Sequence, residues 1–68
     1  MSDLQERVKG LIENLKDRNS GIRYASAQAL GRIGSDAREA VPALTAALKD
    51  KYVGVRLASA QAIQAIRG

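Results

Sequence analysis

Leu4, Val8, Leu11, Ile12 and Leu15 fall on one side of a 3.6-residue helix and predict a first helix with that stripe turned inward. A matching stripe of Ala37, Val41, Leu44, Thr45 and Leu48 predicts a third. Between them, Ile22, Ala25, Ser26, Ala29, Leu30 and Ile33 predict a second helix. Val55, Ala58, Ser59, Ala62, Ile63 and Ile66 predict a fourth with the same spacing. The pattern reads as all-α, with four helices.

The stripes match because the sequence repeats. Shifted by 33 residues, Met1 to Ser35 pairs with Gly34 to Gly68, and 16 of the 35 pairs are identical. The strongest block sets Ala25-Ser26-Ala27-Gln28-Ala29 against Ala58-Ser59-Ala60-Gln61-Ala62, and Leu15-Lys16-Asp17 recurs as Leu48-Lys49-Asp50. One domain, residues 1–68, is therefore expected to hold two units, 2–34 and 35–68, each a helical hairpin of solenoid type.

Helix ends are signalled by side-chain chemistry. Asp3 with Glu6, and Asp36 with Glu39, have capping-box spacing and predict the starts of the first and third helices. Asn19-Ser20 predicts a capped start for the second helix, whereas Tyr52-Val53 offers the fourth no capping side chain, so that start should be looser. Gly34 suits the left-handed close of a helix. Pro42 has no N–H to give the carbonyl of Arg38, so the third helix either kinks there or begins nearer Ala40.

Composition removes whole classes of chemistry. With no Cys and no His, disulfides, thiolate or imidazole metal sites, cysteine nucleophiles and Ser-His-Asp machinery are excluded. Twelve alanines and two aromatics, Tyr24 and Tyr52, are a helix-packing mixture. Apolar burial and ordering entropy nearly cancel in a chain of 68 residues, so close helix packing or an oligomeric interface must supply the margin. The seven acids stand at caps and turns, the glycines occur singly, and neither a catalytic nor a cofactor site is expected. No apolar run reaches membrane-span length and the chain opens acidic, so the expected setting is cytoplasmic with no membrane partner.

At these residues the chain resembles a HEAT-like repeat protein of the phycobilisome-lyase type. The resemblance rests on Val41-Pro42-Ala43-Leu44, Leu48-Lys49-Asp50, Val55-Arg56, Ala58-Ser59-Ala60-Gln61-Ala62-Ile63 and Ala29-Leu30-Gly31-Arg32-Ile33-Gly34. It covers nearly the whole chain and implies an all-α, two-unit solenoid of helical hairpins. It also implies an inter-repeat ladder in which an Asp in the turn and an Arg six residues later link neighbouring units. Asp17, Arg23, Asp50 and Arg56 match that spacing, and the expected internal rung is Asp17 with Arg56, leaving Asp50 and Arg23 at the open ends. The alternative is four solvated charges worth about 0 to 1 kcal/mol per pair. Tyr52-Val53, and Gln64-Ala65 in place of Gly31-Arg32, depart from the family pattern. HEAT-like hydroxylases hold iron through His, which this chain lacks.

Two repeats are fewer than a solenoid normally needs to cover its own faces. Tyr24, Gln28, Leu57, Ala60, Gln61, Ile63 and Gln64 are the candidate self-association or partner face. The expected assembly is a homo-oligomer, most simply a two-fold dimer, with an end-to-end filament as the other form. Lys16, Arg18, Lys49 and Lys51, at the turns within each unit, are a candidate anion edge interrupted by Asp17 and Asp50. The function expected is a non-enzymatic scaffold for protein-protein interaction and self-association. The alternatives are a basic nucleic-acid-associated module and an auxiliary subunit of a larger enzyme such as a chromophore lyase.

Overall fold

A computed structural model of the chain describes residues 3–68, so Met1 and Ser2, where the first unit is expected to begin, lie outside it. Four α-helices follow in order: α1 (Asp3–Asn14), α2 (Ser20–Ile33), α3 (Val41–Ala47) and α4 (Val53–Arg67), with a 3-10 segment, Gly34–Ala40, leading into α3. No strand occurs among the described residues. The four helices and their all-α packing are those the periodicity predicts.

Capping explains the start of α2. Asn19 sits in extended geometry and its side-chain oxygen accepts from the N–H groups of Gly21 at 2.7 Å and Ile22 at 3.2 Å, satisfying orphan donors of the first turn. Tyr52 occupies the same place before α4 in the same extended geometry, without a side-chain cap. At the other end of α2, Gly34 takes φ 77° and its N–H donates to the carbonyl of Leu30.

The third helix differs from its sequence pattern. Asp36 and Glu39 do not cap it; they lie within the 3-10 segment, where Ala37 leaves helical geometry at φ −97°, ψ 23°. Regular α-helix begins at Val41, with Pro42 in the first turn, where a missing N–H leaves no acceptor short. Thr45 and Leu48 are exposed rather than inward-facing, although Leu48 closes its turn with the same backbone bonds as the buried Leu15. Thr45 instead bonds its hydroxyl back to the carbonyl of Val41 at 2.8 Å.

Val8, Leu30, Leu44 and Ile66 are fully buried and belong to one hydrophobic cluster, and Val55 is fully buried as well. The main packing is α2 against α4, and it is close because small residues meet there. A Cβ added at Gly31 would come within 3.2 Å of the Cα of Ala62. Every member of the α4 stripe is buried, whereas Ile22 and Ala25 of the α2 stripe are exposed and Arg23 and Ala27 are buried in their stead. The α2 helix thus buries the side that meets α4 and leaves its other side uncovered.

Candidate functional site

The junction between the two sequence repeats is closed by one ion pair, the sole one among the described residues. Arg23 donates from Nε to Oδ2 of Asp50 at 2.7 Å and from Nη2 to Oδ1 at 3.1 Å, a two-pronged contact suited to a planar guanidinium. Both side chains are about nine-tenths buried. The carboxylate's hydrogen bond holds the Arg23 guanidinium above its ordinary pKa. Asp50 is held below the usual carboxylate range first by Arg23 and then by the N–H of Tyr52, which donates to Oδ1 at 3.0 Å.

The expected rung between Asp17 and Arg56 is therefore wrong. The pair across the junction is Arg23 with Asp50, and Asp17 and Arg56 are left without an ion-pair partner among the described residues. The turn after α3 packs back against the N-terminal end of α2, so its acid meets the arginine of the preceding helix. Asp17, in the turn after α1, meets no arginine of an earlier helix among the described residues.

Each arginine has a second, local duty. Arg23 Nη1 donates to the carbonyls of Asp17 at 2.6 Å and Arg18 at 3.0 Å, and Arg56 Nη1 donates to the carbonyl of Asp50 at 2.7 Å. Each aspartate likewise closes its own turn: Oδ1 of Asp17 accepts from the N–H of Asn19 at 2.8 Å, as Oδ1 of Asp50 does from Tyr52. The rung residues are thus held in the same poses at the filled junction and at the unfilled positions.

Among the candidate interaction residues, Leu57, Ala60, Gln61 and Gln64 lie exposed on α4. Leu57 is 59% exposed. Tyr24 and Gln28 lie together on α2, Gln28 Nε2 donating to the Tyr24 hydroxyl at 2.8 Å, and the Tyr24 ring lies over Gly54 of α4. Ile63 does not belong with them. It is buried in the core, because its side of α4 faces inward. An open groove runs between α2 and α4, floored by Ala27, Gly31, Ala58 and Ala62 with Gln28 and Gln61 on its rims.

Lys16, Arg18, Lys49 and Lys51 are all exposed. Lys51 places Nζ 5.8 Å from the ring centroid of Tyr52, and Cζ of Arg23 is 5.7 Å from the same ring. Stretches 16–23 and 49–56 contain six of the eleven bases and two of the seven acids, while the other five bases and five acids cancel. The formal charge of +4 therefore belongs entirely to these two stretches. Its concentration shows only when charges are counted by location, a signal already present in the sequence.

No helix among the described residues is long and apolar enough to cross a membrane. No curated protein and no solved structure matches the chain. The sequence family described as HEAT repeats matches residues 5–68. Its members are generally protein-interaction scaffolds and are typically not enzymes. A match across nearly the whole length, on a fold of packed helical hairpins, places this chain among the HEAT repeat proteins.

Proposed function

We propose that the chain is a non-enzymatic scaffold, built of two repeat units at 2–34 and 35–68, that associates with itself and offers its remaining surface to a protein partner. The observation that carries this reading is the imbalance between equivalent positions. Val55 is 1% exposed and its counterpart Ile22 40%; Leu15 is 6% exposed and its counterpart Leu48 37%. Side chains of the type that fill the internal junction stand in water at both ends of the molecule, where covering them would recover apolar burial. The basic edge favours an acidic partner surface over a neutral one, through steering and complementarity.

Light scattering coupled to size exclusion tests the self-association directly. A mass above the 7.3 kDa of one chain at micromolar concentration is expected, and a single-chain mass throughout would remove self-association from the reading.

A further inference from the structure

We infer that the uncovered faces take a second copy of this 68-residue chain, docked head to tail so that Arg56 of one copy pairs with Asp17 of the next and the internal junction is repeated between molecules. The inference rests on the self-association proposed above and specifies its geometry.

The junction has two unlike halves. The first repeat contributes Leu15, Arg23, Ala27 and Gly31; the second contributes Asp50, Val55, Ala58 and Ala62. Shifted by the 33-residue repeat, the first half recurs as Leu48, Arg56, Ala60 and Gln64, and the second as Asp17, Ile22, Ala25 and Ala29. Within the chain, Leu15, Arg23, Ala27, Val55, Ala58 and Ala62 are buried. Their counterparts Leu48, Arg56, Ala60, Ile22 and Ala25 are exposed, and Ala29 is half-buried. One end of the molecule thus leaves open the half-junction whose complement is left open at the other end.

The polar groups are already set. Arg56 is anchored on the carbonyl of Asp50 as Arg23 is on that of Asp17, and Asp17 is pinned by its own turn as Asp50 is. Little ordering remains to be done when the two ends meet. Charge also chooses between geometries. A two-fold joint uses the same face of both copies and so offers Arg56 no Asp17 and Asp17 no Arg56; the head-to-tail joint sets the opposite charges together. At one position the copy is imperfect. Gln64 replaces Gly31, where even a Cβ would press on the opposing helix at 3.2 Å, so the joint between molecules stands wider there while its rung end is unchanged.

A joint between unlike faces leaves two free ends after every addition, so the assembly grows with concentration instead of stopping at two chains. Sedimentation velocity over a concentration series should give a mass that passes two chains and keeps rising. Ala60→Glu blocks one face and Ala25→Glu the other, both at exposed helical positions. Each variant should keep the parent's helical ellipticity and remain a single chain, and an equimolar mixture should form a two-chain species and go no further. In one chain, Asp17→Lys with Arg56→Glu should restore the growth that either change halts, because the rung reforms with its polarity reversed. A plateau at two chains, undiminished association of Ala25→Glu, or no complex in the mixture would overturn the head-to-tail joint while leaving self-association standing. A wild-type chain that stays single throughout would overturn both.

Discussion

Asp50 accepts three hydrogen bonds through one carboxylate, two from Arg23 and one from the N–H of Tyr52, and all three favour its charged form. Its folded pKa is therefore lowered, so the folded protein binds fewer protons than the unfolded one in the acid range. The stabilisation is fully present above the unfolded value of about 3.9 and is lost as pH falls through the lower, folded value. Urea midpoints should accordingly be flat for this group from pH 7 to about pH 5 and drop at more acid pH. Asp50→Asn should start with a lower midpoint at pH 7 and show a shallower acid decline; an identical decline would mean that the pair contributes nothing. The spacing of Asp17, Arg23, Asp50 and Arg56 selected these residues under the HEAT resemblance, but not their pairing. A six-residue interval says which side chains belong to a rung; which neighbour each faces depends on the direction in which one hairpin packs on the next, and no periodicity encodes that.

Between elements, the approach of α2 to α4 is limited by Gly31. Gly10, exposed on α1, has nothing within 4 Å of an added Cβ, so Gly10→Ala should stabilise by roughly 0.5 to 1 kcal/mol through helix propensity. Gly31→Ala carries the same propensity but drives a methyl group against the Ala62 backbone at 3.2 Å, so it should fall short of that gain. Equal midpoint shifts for the two variants in urea would show that the helices are free to separate. The helix starts differ in the same measurable way. Gly21 donates its N–H to the Asn19 side chain, and α4 has no side-chain cap, so the Gly54 amide should exchange with solvent faster than that of Gly21. Equal protection would place the fraying elsewhere. The caps at Asn19 and Gly34 were legible because each is a local choice. Asp36 misled because its capping spacing competes with Pro42, whose ring sets the helix start five residues later, at Val41.

Over the whole molecule, the repeat and its four helices could be read from apolar spacing, because each stripe needs only its own residues to define it. Ala27 could not be sorted that way, being buried while its counterpart Ala60 is exposed. Equivalent positions in an internal repeat carry the same residue types, yet one set meets a neighbouring repeat and the other meets water. The chain measures 34 × 24 × 16 Å, a slab whose hairpins are joined mainly through α2 and α4. Arg23 ties them a second time, holding the carbonyls of residues 17 and 18 with one nitrogen and the Asp50 carboxylate with the other two. Fraying of either hairpin must break the Arg23–Asp50 contact and open the α2–α4 seam, so each hairpin loses the cover of the other. Heat or denaturant therefore meets a coupled object: the halves melt in a single transition, and a species with one hairpin intact and the other lost has no range of conditions in which to accumulate.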